Sequence, residues 1–247
     1  GTDETQHQRL EEDRKGDPER GGAVPAQLCH GTPTPSDEMG DAGADQPGER
    51  IGMLFAHLTV VGIGLIGGSF ALAAKQADLV GQVTGVARSE ATRQGALEIG
   101  AADEVTEDLE QAVAQADLVY LATPVETICA QLRTLGPYLR PGALVTDAGS
   151  AKAAVMQAAQ ALPRRVTFVG GHPMAGSEKT GIAAARPDLF ADSSYFLTPG
   201  PKTPPEPVQQ LVELVRGVGA RPLVVEAERH DRLVALTSHL PHLLAWA

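Results

Sequence analysis

Two segments of the chain combine residue types that together could carry out redox chemistry. The first is the glycine-rich segment Gly62-Ile63-Gly64-Leu65-Ile66-Gly67, and the second is Gly170-Gly171-His172-Pro173. Glycines at the first spacing bring backbone N–H groups to the pyrophosphate of a dinucleotide. The His172 imidazole is suited to accept a proton near neutral pH. The pair predicts a dehydrogenase that moves a hydride and a proton in one reaction.

Each glycine of the first segment has a separate steric reason. Gly62 permits a tight turn, Gly64 lets the backbone approach the pyrophosphate, and Gly67 lets the following helix pack on the preceding strand. Leu65 and Ile66 begin that helix, whose N-terminal dipole faces the phosphates. We therefore predict that all five residues bind the cofactor. The alternatives are a turn with no ligand, or another nucleotide-like ligand such as a methyl donor.

The end of the second predicted strand indicates which nicotinamide cofactor is bound. An NAD site usually has Asp or Glu there, to bind the ribose 2′-hydroxyl. Here the strand is followed by Arg88-Ser89, and the first acidic residue after the strand is Glu90. A guanidinium beside a hydroxyl suits a 2′-phosphate. The sequence thus favours NADP, with NAD possible, and the alternative is that Arg88 is merely a solvated residue.

Two further turns follow predicted strands, at the edge of the sheet where ligands bind. Thr123-Pro124 is predicted to lie along the ribose and nicotinamide. The segment 147–152 contains Ser150 and Lys152. Ser150 is a candidate site residue, although a helix N-cap is its commoner role. For Lys152 the alternative to a place in the site is a surface residue of a first helical turn.

Short apolar runs alternate with helical segments, which predicts an α/β fold with a doubly wound parallel sheet. A Rossmann-like NAD(P)-binding domain is predicted for residues 53–226. Residues 1–52 are predicted to be a disordered extension, and residues 227–247 the beginning of a truncated all-helical domain. A proline-rich connector is expected at 199–207. The predicted strands are 55–61, 83–87, 118–122, 143–146, 166–169, 195–198 and 222–225, and the predicted helices are 66–76, 90–99, 126–135, 151–161, 208–218 and 227–247.

Composition argues against several classes of partner. The formal net charge is −11, whereas nucleic acids and anionic membranes require basic surface. No apolar run is long enough to predict a transmembrane helix. Cys29 and Cys129 do not make a disulfide framework, so a reducing, cytoplasmic setting is expected. No metal site is predicted, because His230-Asp231 is interpreted as capping and dipole chemistry at a helix start.

Several segments occur together in an order that resembles the prephenate/arogenate dehydrogenase family of tyrosine biosynthesis. The resemblance covers residues 54–247 and is greatest to the NADP-linked arogenate dehydrogenases. Five segments carry it: 60–69 (VVGIGLIGGS), 146–152 (TDAGSAK), 171–177 (GHPMAGS), 188–190 (DLF) and 238–242 (SHLPH).

The resemblance implies an oxidative decarboxylation of a cyclohexadienol that bears a ring carboxylate. It implies that His172 bonds to or deprotonates the ring hydroxyl, that Ser150 orients the histidine and the hydroxyl, and that His239 lies near the substrate. His242, one helical turn further on, is expected to pack behind it. It also implies a homodimer formed by the helical domain, and a substrate-binding arginine beyond residue 247. Arogenate is favoured over prephenate.

Two other functions stay open at this stage. One is a dehydrogenase of the β-hydroxyacid type, which typically relies on a lysine in its helical domain. The other is an NADP-binding module without catalysis.

Overall fold

The computed structural model describes residues 52–239, with side chains described as far as residue 237. The extension predicted for residues 1–52 lies outside this range apart from Gly52. The part of the predicted helix 227–247 that follows residue 239 also lies outside it. The strands are β1 Phe55–Val61, β2 Val80–Val86, β3 Glu104–Thr106, β4 Leu118–Leu121, β5 Leu144–Asp147, β6 Thr167–Pro173, β7 Ser194–Pro199 and β8 Arg221–Val224. The α-helices are α1 Leu65–Gln76, α2 Glu90–Glu98, α3 Leu109–Val113, α4 Val125–Thr134, α5 Lys152–Ala159, α6 Pro205–Gly217 and α7 Ala227–Val234, with a 3₁₀ turn at Ile182–Ala184 and a π-helical turn at Ala235–His239.

The strands form one sheet in the order β3-β2-β1-β4-β5-β6-β7-β8. Strands β1 to β6 are parallel, and the order reverses direction between β1 and β4. The prediction of a doubly wound sheet is confirmed. Its parallel direction holds for these six strands but is wrong for the last two, because β7 runs antiparallel to β6 and β8 is parallel to β7. Between β6 and β7 the chain forms a 3₁₀ turn and no α-helix, so it lacks the helical crossover that usually brings a strand back in parallel.

Both faces of the sheet are covered, which explains why its strands read as continuous apolar runs. Leu118 and Tyr120 of β4 belong to one core cluster, while Val119 and Leu121 belong to the other. Helices α1 and α6 contribute buried side chains to the first cluster, and α4 and α5 to the second. The central strands are thereby held rigidly, and their carboxyl ends form a fixed edge.

Three differences from the predicted elements have physical causes. The short elements β3 and α3 were not predicted, since three and five residues are too few for a periodic pattern. An α3 signal was present, because the Asp108 carboxylate accepts a hydrogen bond from the Gln111 N–H at 3.0 Å and caps that helix. Helix α6 begins at Pro205, inside the predicted connector, because proline is tolerated in a first helical turn.

Candidate functional site

A cavity of about 920 Å³ opens at the carboxyl ends of β1, β2 and β4, where the sheet order reverses. Ligands of open parallel sheets bind at this position. Six of the predicted cofactor residues line it: Gly62, Gly64, Arg88, Ser89, Thr123 and Pro124. The other three predicted residues, Leu65, Ile66 and Gly67, form the first turn of α1 and are not part of the wall. The wall also contains Thr92, Glu107, Thr127 and Gln131, which the sequence did not single out.

The glycines of the first segment differ in what surrounds them. Gly62 has a φ of +87°, and a Cβ there would lie 2.8 Å from the Ala122 carbonyl oxygen. A Cβ on Gly67 would lie 2.5 Å from the Gly62 oxygen, so this glycine serves the packing of α1. A Cβ on Gly64 would meet no protein atom within 4 Å. Protein packing therefore does not explain Gly64, and the space beside its backbone is open to a ligand.

The N-terminus of α1 is suited to a phosphate. The helix has no side-chain cap and no acidic residue in its first turn. Its first N–H groups lack intrahelical acceptors, and the helix dipole favours an anion there. These features fit the pyrophosphate of a dinucleotide.

The rim of the cavity carries an arginine whose charge no acid neutralises in the described part of the chain. Arg88 is exposed at the end of β2, and Ser89 caps α2 by accepting a bond from the Thr92 N–H at 3.4 Å. The neighbouring acids, Glu90 and Glu107, are both paired with Arg93 at 2.5 and 3.3 Å. Arg88 is therefore available to an anion in the cavity.

His172 lies inside strand β6 rather than in a loop after it. The predicted strand ended at Val169, but the observed one continues to Pro173, with His172 opposite Phe196 of β7. The side chain is buried, with 9 % of its surface exposed. Pairing with an antiparallel strand extended β6 beyond its apolar run. The histidine is thus fixed by the sheet, at the same edge as the cofactor cavity.

A buried ion pair holds the residue before the histidine. The pairing of β6 with β5 is confined to Leu144–Thr167 and Val145–Phe168, so Gly171 lies beyond it. Its N–H donates to Asp147 Oδ1 at 3.0 Å, and its carbonyl oxygen accepts from Lys152 Nζ at 2.6 Å. Lys152 Nζ also donates to Asp147 Oδ2. These two side chains replace the backbone bonds that a β5 neighbour would have supplied.

The alternative that Lys152 is only a surface residue is wrong. Its side chain is fully buried, and burial lowers its pKa although Asp147 acts in the opposite direction. A signal was present, because Lys152 shares one face of α5 with the buried Val155 and Ala158.

His230 and Asp231 of α7 also meet the site, which the sequence did not indicate. His230 Nε2 lies 2.9 Å from His172 Nδ1, and His230 Nδ1 lies 2.8 Å from Asp231 Oδ1. Asp231 accepts bonds from the N–H groups of Lys152 at 2.7 Å and Ala153 at 2.9 Å. The predicted capping role is correct in kind, but the helix that Asp231 caps is α5. Asp147, Lys152, His172, His230 and Asp231 form the histidine cluster.

Burial and hydrogen bonding set the pKa values within this cluster. Burial lowers the pKa of His230, with a smaller opposing effect from Asp231. Burial acts to raise the pKa of Asp231, but the bonds from Lys152, Ala153 and His230 outweigh it, and the pKa lies below its ordinary value. Near neutral pH, His230 is therefore uncharged and Asp231 is a carboxylate.

The two other predicted catalytic residues are less well defined. Ser150 is exposed between β5 and α5, and the cap of α5 comes from Asp231 rather than from this serine. His239 is the last residue of the π-helical turn, and its side chain lies outside the described part. Their catalytic roles stay predictions.

Within residues 52–239, no group of three His, Cys, Asp or Glu side chains is placed to hold a metal ion. No helix in that range is long and apolar enough to cross a bilayer. Cys129 is buried and not in a disulfide.

Comparisons with known proteins agree on one family. Residues 70–224 match the family model described as prephenate dehydrogenase, nucleotide-binding domain. A prephenate dehydrogenase of Bacillus subtilis is 40 % identical over 190 residues, covering 76 % of this chain and 51 % of that protein. The chain thus spans about half the length of this relative.

Two solved structures have the same architecture. The Synechocystis arogenate dehydrogenase is 36 % identical with a TM-score of 0.70, covering 75 % of this chain and 65 % of that one. The A. aeolicus prephenate dehydrogenase, solved with hydroxyphenyl propionate and NAD+, is 32 % identical with a TM-score of 0.71, covering 77 % and 67 %.

Proposed function

The chain belongs to the prephenate dehydrogenase family, and we propose that it binds NADP and contributes to the oxidative decarboxylation of arogenate to tyrosine. The single observation that supports this best is the position of His172. It is buried on a rigid strand, at the same edge of the sheet as the glycine-lined cavity. A proton acceptor and a dinucleotide site at one edge are what a hydride transfer from an alcohol carbon requires.

The reaction balances without any further reagent. A nicotinamide held in the cavity would supply the hydride acceptor. Hydride leaves the ring carbon that carries the hydroxyl group, while the bond between the opposite ring carbon and its carboxylate breaks. The electrons of that bond enter the ring, carbon dioxide leaves, and the ring becomes aromatic. His172 accepts a hydrogen bond from the ring hydroxyl as the hydride departs, and a proton that it takes in that step returns to the phenolate oxygen of the aromatic product. Its fixed backbone keeps that geometry.

Residues of the cavity have distinct parts in cofactor binding. The N-terminus of α1 and the open side of Gly64 face the pyrophosphate, as the steric argument requires. Arg88 meets the 2′-phosphate, which is why NADP is favoured over NAD. Thr123, whose hydroxyl donates to Gln131 Oε1 at 2.9 Å, lies along the ribose.

Prephenate is the alternative substrate, supported by the 40 % identity to the Bacillus subtilis prephenate dehydrogenase. Arogenate is preferred because the strand end at Arg88 and the segment 171–177 resemble NADP-linked arogenate dehydrogenases. We also propose that the full-length protein is a cytoplasmic homodimer, with the dimer formed by its helical part. Light scattering during size-exclusion chromatography measures that state directly.

Formation of reduced nicotinamide at 340 nm tests the function. Four mixtures combine arogenate or prephenate with NADP or NAD, and the full-length protein is compared with its His172→Ala variant. Turnover with arogenate and NADP alone supports the whole proposal. Turnover with prephenate and NAD contradicts both specificity assignments but keeps the reaction. No turnover in any mixture, with NADP still bound, favours a non-catalytic binding module.

A further inference from the structure

We infer that Asp231 and His230 are positioning residues that set the tautomer of His172, so that its Nδ1 carries the proton and its Nε2 is the basic nitrogen. This inference rests on the proposed function only in so far as it assigns the base to His172. The three residues are arranged in a row, Asp231–His230–His172, across two hydrogen bonds of 2.8 and 2.9 Å.

The proton positions follow from the acceptor at the end of the row. Asp231 is a carboxylate and can only accept hydrogen bonds. His230 Nδ1 must therefore donate to it. A neutral imidazole with a proton on Nδ1 has a bare Nε2, so His230 Nε2 can only accept. The bond between the two histidines then requires that His172 Nδ1 be the donor. A neutral His172 consequently has its lone pair on Nε2.

Each participant in the row is held from more than one side. The Asp231 carboxylate is fixed by two backbone N–H groups at the start of α5, which are donors and cannot change role. His230 is fully buried, and its ring stands at 84° to that of Phe196 with ring centres 5.0 Å apart. His172 is held by its strand and by the hydrogen bonds that Asp147 and Lys152 make with the backbone of Gly171. Neither histidine ring can rotate freely to exchange its nitrogens.

The charges around His230 favour its neutral form. The charged and titratable groups that act on it are Asp231 on its own helix, Lys152 on α5, Asp147 on β5 and His172 on β6. Burial and the Lys152 ammonium disfavour a proton on its second nitrogen, while the two carboxylates oppose this less strongly. His230 therefore stays an acceptor toward His172 across the neutral range.

The consequence for the reaction is a prepared base. When His172 Nε2 takes a proton, the ring becomes an imidazolium whose Nδ1–H already points to an acceptor. The charge that appears is stabilised by a hydrogen bond and, through it, by the carboxylate. The arrangement follows the logic of a carboxylate that orients a catalytic histidine. Loss of an orienting carboxylate of this kind costs up to about 10⁴-fold in kcat.

The test reads the tautomer directly. The full chain is labelled with ¹⁵N-histidine, and long-range ¹H–¹⁵N correlation spectra give the protonated nitrogen of each ring. His172→Ala and His230→Phe identify the two resonance sets. We expect a protonated Nδ1 on His172 in the native chain. In His230→Phe we expect a change toward the Nε2–H form that free imidazole favours.

His230→Gln is the conservative variant. Its side-chain amide can accept from His172 Nδ1 and donate toward Asp231, so it should restore the native tautomer at least in part. His57→Gln is the matched control, since His57 also bonds through a ring nitrogen, to Thr84 at 2.8 Å, but lies outside the cluster. Circular dichroism of every variant verifies folding. If His230→Phe fails to fold, Asp231→Ala gives the same test, because it removes the oxygen that requires a donor at His230 Nδ1.

Turnover separates the inference from the proposed function. In the full-length protein, His230→Phe should lower kcat by at least about 10-fold and by no more than the ~10⁴-fold that follows loss of an orienting carboxylate. KM and the NADP Kd should stay within a few-fold of native, and His230→Gln should recover part of the loss in kcat. The inference is overturned, even if turnover is found, if native His172 is protonated on Nε2 or if His230→Phe leaves its tautomer unchanged. Suppose instead that native His172 is protonated on Nδ1, that His230→Phe removes this tautomer, and that neither substrate is turned over. That result supports the role of His230 and Asp231 and contradicts the proposed function.

Discussion

The cofactor cavity and the histidine cluster lie at one edge of the same sheet but are built from different kinds of group. The cavity's glycine segment uses backbone amides, steric clearance and one continuous stretch of chain, residues 62–67. The cluster uses buried ionisable side chains from β5, α5, β6 and α7. The first arrangement tolerates solvent and changes of pH, whereas the second depends on every charge keeping its partner. The contrast predicts that the proposed cofactor binding and the proposed proton transfer can be perturbed separately.

His172→Ala is expected to give the largest difference between its effect on turnover and its effect on cofactor binding. Removing the proposed general base should lower turnover by about 10²- to 10⁴-fold, because that is what a positioned base contributes. Binding of NADP, measured by fluorescence titration, should change by less than about threefold, a free-energy difference too small to reflect a lost contact. Turnover that survives within a few-fold would show that the base is elsewhere.

The next effect is on stability and belongs to the cluster alone. Lys152→Met leaves the Asp147 carboxylate buried without its ammonium partner, which should lower the free energy of unfolding by about 3–5 kcal/mol. Urea unfolding measures this. The control is Lys202→Met, at an exposed position, which should change stability by less than about 0.5 kcal/mol. The double variant Asp147→Asn/Lys152→Met should regain part of the loss, and the absence of any recovery would contradict the unpaired charge as its cause.

Two glycine variants distinguish the role of protein packing from the role of ligand binding in the glycine segment of the cavity. Gly67→Ala places a Cβ 2.5 Å from the Gly62 oxygen and should destabilise the fold by about 1–3 kcal/mol through overpacking. Gly64→Ala meets no protein atom, so it should leave the thermal midpoint almost unchanged while weakening NADP binding. Equal stability losses in the two variants would mean that Gly64 serves packing rather than a ligand.

Arg88→Ala should have a smaller effect, confined to the cofactor. The exposed guanidinium is expected to contribute about tenfold to NADP affinity and almost nothing to NAD affinity, because only NADP carries the 2′-phosphate. kcat at saturating NADP should stay within about twofold of native, which corresponds to under 0.5 kcal/mol. An equal loss of affinity for NADP and NAD would mean that Arg88 does not bind the 2′-phosphate.

The smallest expected effect is a pH dependence of stability that comes from the histidine cluster and not from the cofactor cavity. The pKa of His230 is lowered by burial in the folded chain, so the unfolded chain binds a proton near pH 6.5 that the folded chain does not yet bind. Stability should therefore fall as the pH drops from 7 toward 5, and level off below the folded pKa. For a single imidazole, a pKa lower by one pH unit costs about 1.4 kcal/mol of stability at acidic pH, which sets the scale of the fall. His230→Gln should show a shallower fall in urea midpoints over this range, while Gly64→Ala should keep the native slope.

The sequence predicted the cavity better than the cluster for a physical reason. The requirements of Gly62 and Gly67 are local and steric, so spacing along a strand–turn–helix unit reveals them. The strands that surround them were also predictable, because burial on both faces gives continuous apolar runs. His172 was found as a residue type, but its place inside β6 depends on pairing with β7, which is not a local property.

The partners of His172 lie beyond what spacing can reveal. His230 is 58 residues away in the chain and reaches His172 only because α7 packs against the sheet edge. Lys152 had a recoverable signal, since it shares a helical face with Val155, but a lysine on an apolar face is usually assigned to solvent. Long-range electrostatic contacts have no period, and only the folded chain brings them together.

The cap that Asp231 places on α5 bears on how this protein can be divided or recombined. The domain boundary predicted near residue 227 lies just before α7. A chain cut after Glu226 would lose the Asp231 carboxylate, which accepts from two N–H groups of α5. It would also lose the His230 imidazole next to His172. A chimera that joins this sheet to the helical part of a relative should therefore exchange parts after Val234 rather than before Ala227. The smallest functional unit of cofactor domain and base thus includes the helix that follows the last strand.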